Sequence, residues 1–109
     1  MIKNYQSMGI LDVLGFGNKS NNLQDFITKG AIIIDVRTTD EFASGHIKGS
    51  KNIPLDIISS KIVEIKKLNK PVITCCRSGM RSNQATFILK QNGIEVTNGG
   101  GWESLNRKL

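Results

Sequence analysis

Two short, uninterrupted apolar runs constrain this chain more than any other feature: Ala31-Ile32-Ile33-Ile34 and Pro71-Val72-Ile73-Thr74-Cys75. Neither alternates polar with apolar residues, so neither suits a sheet with one wet face; each reads as a strand covered on both sides. Covering both faces takes helices, and the chain between and around the runs supplies them. Asn21 or Asn22 can cap a short helix carrying Leu23, Phe26 and Ile27, closed by Gly30. Thr39-Asp40-Glu41 resembles a helix start, stopped by Gly45, and Asn52-Ile53-Pro54 reads as a short strand ended by proline. Leu55, Ile58, Ile62, Ile65 and Leu68 recur at helical spacing, with Lys61, Glu64 and Lys67 on the other face. Ala85, Ile88 and Leu89 mark a further helix closed by Asn92-Gly93, and Ile94-Glu95-Val96 reads as a last strand before the triple glycine Gly99 to Gly101. Such alternation predicts an α/β domain with a central, mostly parallel sheet and helices on both faces.

At 109 residues the chain holds one domain with a real core and is too short for two. Residues 1–20 read as a lead-in, rich in Gly, Asn and Ser towards its end, whose Ile10, Leu11, Val13, Leu14 and Phe16 suit a short amphipathic turn; residues 21–109 form the body. No apolar run approaches the roughly 20 residues that cross a bilayer. Gln6, Ser7 and Asp12 interrupt any export signal near Lys3. A cytoplasmic protein with no membrane partner is expected. The net charge of +6 favours anionic partners, but the lysines are scattered and aromatic residues make up only 6% of the chain, so no nucleic-acid partner is expected.

The two cysteines, Cys75 and Cys76, are neighbours. Adjacent Cα atoms lie about 3.8 Å apart, short of the usual disulfide span of about 4.4 Å or more, and a bridge there would staple nothing. With a single histidine beside them they make a poor zinc site, so neither metal nor cofactor is expected. That leaves thiol chemistry or a pair of small buried hydrophobes. The segment Thr74-Cys75-Cys76-Arg77-Ser78-Gly79-Met80-Arg81-Ser82 joins a buried strand to a helix, at the carboxyl end of the sheet where open α/β folds bind ligands. Gly79 lets the backbone turn tightly, so that successive N–H groups can point inward as an anion nest. The following helix aims its positive end at the same spot, and Arg77 and Arg81 add full charges. A cysteine opening such a loop has its thiolate stabilised, which makes Cys76 the candidate nucleophile.

Cys76-Arg77-Ser78-Gly79-Met80-Arg81-Ser82 resembles the active-site loop of single-domain rhodaneses, in which a cysteine starts a six-residue loop with glycine at its fourth position. Asp35-Val36-Arg37, then Glu41-Phe42, then Gly45-His46-Ile47-Lys48-Gly49-Ser50-Lys51-Asn52-Ile53-Pro54, is similar to the two linked motifs that precede this loop in that family. The resemblance implies a rhodanese-like three-layer α/β fold and transfer of a sulfane sulfur through a persulfide on Cys76. Arg77, Ser78, Gly79, Met80 and Arg81 would then form the substrate-binding cradle, the nest holding the terminal sulfur and the arginines orienting the donor. The implied partners are a small anionic sulfur donor such as thiosulfate and a thiol or cyanide acceptor, with a protein sulfur relay as the cellular counterpart. Two positions depart from the family. Trp102 follows Gly101 directly instead of several residues later, and reads as core. Cys75 stands where a bulky residue is common, and reads as structural, its side chain opposite to that of Cys76.

His46 reads as a hydrogen-bonded structural histidine satisfied by Asp35 or a backbone carbonyl. Asp35 and Arg37 are expected to form an internal ion pair holding the first loop. Two other functions compete. Cys75, five residues and Arg81 satisfy the spacing of cysteine phosphatases and arsenate reductases, including those of the same fold with a loop one residue longer. The same Cys76 could also serve a non-catalytic sulfur carrier or redox module.

Overall fold

The computed structural model describes residues 18–109, so the lead-in turn expected around Ile10 to Phe16 lies outside the described residues. Helix α1 (Asn18–Thr28) starts ahead of the caps expected at Asn21 or Asn22, because no glycine or proline interrupts the chain between Gly17 and Gly30. Gly30 ends it as expected, at φ 74°, where the Ala31 N–H reaches the Phe26 carbonyl and the Gly30 N–H that of Ile27.

Four strands follow: β1 (Ile32–Asp35), β2 (Lys51–Asn52), β3 (Val72–Cys76) and β4 (Val96–Gly101). They lie in the order β2-β1-β3-β4 and every pairing is parallel. The connections are helical: α2 (Thr39–Ser44), a 3₁₀ helix (Leu55–Lys61) running into α3 (Ile62–Lys67), α4 (Met80–Gln91), and finally α5 (Trp102–Lys108). No helix among the described residues is long and apolar enough to cross a membrane.

All five residues of β3 are buried, and they serve two cores in alternation. Val72 and Cys76 join Ile34, Val36, Ile58, Ile65, Ala85 and Leu89 on the face covered by the 3₁₀ helix, α3 and α4. Ile73 and Cys75 join Phe26, Ile47 and Leu105 on the face covered by α1 and α5. This is the two-faced burial that the apolar runs require, each fully buried isoleucine contributing about 1.5–3 kcal/mol.

Three elements differ from the sequence reading. The short strand is Lys51–Asn52, paired with Ile34 and Asp35, and Pro54 instead precedes the 3₁₀ helix. The spacing from Leu55 to Leu68 is not one α-helix: its first part winds as 3₁₀, and Leu68 lies beyond α3, 39% exposed. The last strand does not stop before the triple glycine; it contains it. A Cβ at Gly99 would come within 2.7 Å of the Ile73 side chain and 2.8 Å of the Thr74 carbonyl oxygen. At Gly101 it would meet the Arg77 carbonyl oxygen at 2.8 Å. Glycine here marks close backbone approach and not a strand end.

Candidate active site

β3 delivers Cys76 to the carboxyl edge of the sheet, a bend of three residues follows, and α4 begins at Met80. The bend closes because Gly79 takes φ 103°, a left-handed conformation that side chains resist. Its N–H then points back at the Cys76 sulfur, 3.0 Å away. The Ser82 N–H, from the first turn of α4, reaches the same sulfur at 3.4 Å, and the Ser82 hydroxyl lies 3.3 Å from it. Burial is the largest single influence on this thiol and pushes its pKa up. The Ser82 hydroxyl and the N–H groups of Ser82, Gly79 and Ser78 together outweigh it, and the thiol falls below its ordinary 9.0.

Cys75 points the other way. It is fully buried among Phe26, Ile73 and Leu105. Burial first, then the nearby Asp35 charge, pushes its thiol up to about 12, with Arg37 opposing. The two cysteines are equally hidden and oppositely tuned.

Beside the loop, Asp35 and Arg37 form the internal pair that the sequence suggests. Arg37 Nη2 donates to Asp35 Oδ2 at 2.6 Å, and its Nε to both carboxylate oxygens at 2.9 and 3.0 Å. The remaining donors reach the carbonyls of Glu41, at 3.3 Å, and Gly45, at 2.7 Å. Arg37 thereby ties β1 to both ends of α2, and the Trp102 ring lies 4.8 Å from its guanidinium. Trp102 itself packs against the cluster of Phe26 and Leu105, as a core residue should. His46 is exposed, bonded through Nδ1 to the Phe42 carbonyl at 2.7 Å and stacked on the Phe42 ring. Its partner is the backbone carbonyl and not Asp35.

The remaining loop residues spread apart. Ser78 and Met80 face solvent, Met80 being 74% exposed. Arg81 makes a forked ion pair with Glu41, at 2.8 and 3.0 Å, closing α4 onto α2. Arg77 is exposed and borders a cavity of about 320 Å³ lined also by Arg37, Glu41, Ser44, Trp102 and Glu103. Two contributors escape the sequence reading. Ser82 supplies both a hydroxyl and an N–H to the sulfur. Asn98, on β4, holds that hydroxyl at 2.7 Å and the Gly79 carbonyl at 3.1 Å. The signal for Ser82 was its place in the first helical turn after the loop; for Asn98 only its position before the triple glycine.

The family described as rhodanese-like domain matches residues 20–108. Over 81 residues, 72% of this chain and 64% of the relative, the chain is 40% identical to YqhL, an uncharacterized protein of Bacillus subtilis (strain 168). It is 34% identical to the thiosulfate sulfurtransferase PspE of Escherichia coli (strain K12) over 66% of this chain and 71% of that protein. The human single-domain sulfurtransferase TSTD1 superposes on 82% of this chain and 93% of its own with a TM-score of 0.63, at 27% identity. The chain spans less than two thirds of the length of several curated relatives it matches.

Proposed function

The chain belongs to the rhodanese-like domain family, and from that premise we propose that it is a sulfurtransferase in which Cys76 carries the sulfane sulfur as a persulfide. The observation that carries this reading is the sulfur's setting: the Gly79 and Ser82 N–H groups and the Ser82 hydroxyl surround Cys76 Sγ within 3.0–3.4 Å. Thiolate attack on the outer sulfur of thiosulfate forms the persulfide bond, breaks the donor's sulfur–sulfur bond and releases sulfite. A thiol or cyanide then attacks the outer sulfur, and the bonding pair returns to Cys76 as thiolate. The anionic donor enters past Arg77, an exposed cation at the rim of the loop that makes no ion pair among the described residues. Arg81, held by Glu41, serves the nest mainly by fixing the start of α4. The working unit is the body from residue 21 onward.

Counting a phosphatase-type loop from Cys75 to Arg81 needs Cys75 as nucleophile, and its burial on the opposite face with a raised pKa speaks against that. Mass spectrometry after thiosulfate treatment should find one added sulfur, removable by cyanide. An unmodified protein that instead hydrolyses p-nitrophenyl phosphate would overturn the reading, and a persulfide that forms but does not turn over would make the chain a carrier.

A further inference from the structure

Ser82 has one hydroxyl proton and two claimants for it. Asn98 Oδ1 lies 2.7 Å from the hydroxyl oxygen and Cys76 Sγ lies 3.3 Å from it. Asn98 cannot yield by turning its amide over. Its Nδ2 donates to the Gly79 carbonyl at 3.1 Å, and its Oδ1 accepts the Gly100 N–H at 2.9 Å. Two backbone groups of opposite polarity thus keep an acceptor facing Ser82. While Cys76 is a thiol, its S–H can donate to the Ser82 oxygen, whose own proton goes to Asn98. Once the sulfur is a thiolate it has no proton to give, and the hydroxyl must swing off Asn98 to serve it.

We propose that Ser82 is a further catalytic residue, a hydroxyl whose proton turns from Asn98 to Cys76 Sγ whenever that sulfur becomes anionic, with Asn98 as the positioning residue that reclaims it. This rests on the reading of Cys76 as the sulfur-carrying residue. In the persulfide the inner sulfur is neutral and the charge sits on the outer one, so the Ser82 proton stays with Asn98. When the acceptor attacks the outer sulfur, the sulfur–sulfur bond breaks and its electron pair collects on Sγ. The Ser82 O–H turns to meet that charge; no proton changes owner. The Asn98 bond exists only while Sγ is uncharged, so it favours the thiol and persulfide over the thiolate.

The two residues therefore act in opposite directions, which a merely structural role would not produce. The test is the pH dependence of alkylation of the full chain by iodoacetamide, beside the rate at which cyanide strips sulfur from preloaded protein. The charged group nearest in effect to Cys76 is Arg81 of α4, backed by Glu41 of α2; exposed Arg77 follows in the loop, and Cys75, on the opposite face of β3, has a thiol pushed up to about 12 and stays silent in the range used. Ser82→Ala should raise the alkylation midpoint by about one pH unit, the size a single charge-assisted hydrogen bond produces, and slow sulfur release about tenfold. Asn98→Ala should lower the midpoint, and that lowering should vanish in the Ser82→Ala background. An unmoved midpoint in Ser82→Ala, or an Asn98→Ala shift equal in both backgrounds, overturns the proposal while leaving persulfide formation to stand or fall separately. Should Asn98→Ala fail to fold, Ser82→Ala decides alone, since the Ser82 carbonyl keeps its bonds from Thr74 and Thr86.

Discussion

The two faces of β3 hold the same residue type, one position apart, at 0% and 1% exposure, yet one face surrounds its sulfur with hydrogen-bond donors and the other with hydrocarbon. On the α1–α5 face Cys75 meets hydrocarbon and the buried Asp35–Arg37 pair, and its thiol is pushed up to about 12. On the α4 face Cys76 meets a helix start and a left-handed glycine, and its pKa goes down. Burial alone therefore does not decide whether a cysteine reacts; the donors waiting at the buried spot do.

The sharpest break of this comparison is exchange of each sulfur for oxygen. Cys76→Ser should abolish transfer of sulfur from thiosulfate to cyanide, and Cys75→Ser should keep most of it, both measured in a steady-state assay. The opposite pattern would return the nucleophile to the Cys75 face.

The next largest effect should fall on stability. Asp35→Asn removes the countercharge of Arg37, whose side chain is only 5% exposed. Stranding a buried guanidinium costs about 3–5 kcal/mol, to be read from the urea midpoint of unfolding. Iodoacetamide reactivity of Cys76 in the variant that remains folded should change little, because none of its donors comes from Asp35. Loss of thiol reactivity without loss of stability would join the two faces into one site.

Gly99→Ala tests the packing of the Cys75 face alone. The new methyl would sit 2.9 Å from Leu105 as well as against Ile73 and Thr74, all three contacts being tightly held core or backbone atoms. Overpacking of this kind costs about 1–3 kcal/mol, again visible in denaturant unfolding, with sulfur transfer retained at a temperature where the variant is folded.

What the sequence disclosed follows the same division. The apolar runs identify β1 and β3 because a strand buried on both faces leaves no polar residue in its run, and the loop after Cys76 is legible because its turn needs glycine at one position. Asp35 and Arg37 were legible as a pair because two opposite charges bracket a strand end. What stayed hidden depends on distances between segments far apart in the chain. The triple glycine reads locally as a breaker; only the approach of β4 to Thr74 and Arg77 makes it strand. Arg81 reads as a free cation until α2 brings Glu41 to it, and Ser82 reads as one more polar residue until Asn98, on another strand, reaches its hydroxyl.

The smallest expected effect lies at the rim of the Cys76 face, in the Arg81–Glu41 pair. Hydrogen bonding to Arg81, foremost, and the N–H of Thr38 hold the Glu41 carboxyl at about 2, against an ordinary 4.5. Because the folded value is the lower one, the contribution to stability is complete above pH 4.5 and is lost as the pH falls towards 2. Both partners are about one-third exposed, at 36% and 32%, so solvent screens the pair. A gain of about 0.5–1 kcal/mol is the scale for such a bridge. Glu41→Gln isolates it, since the glutamine amide can still close the capping box with Thr38 that starts α2. Subtracting the variant's unfolding free energy from that of the wild type should give a difference near zero at pH 2 that grows to its full value by pH 5, with the other carboxylates cancelling. A difference near zero at every pH would mean that the capping box, which glutamine keeps, carries the whole effect of Glu41, and that Arg81 adds nothing measurable.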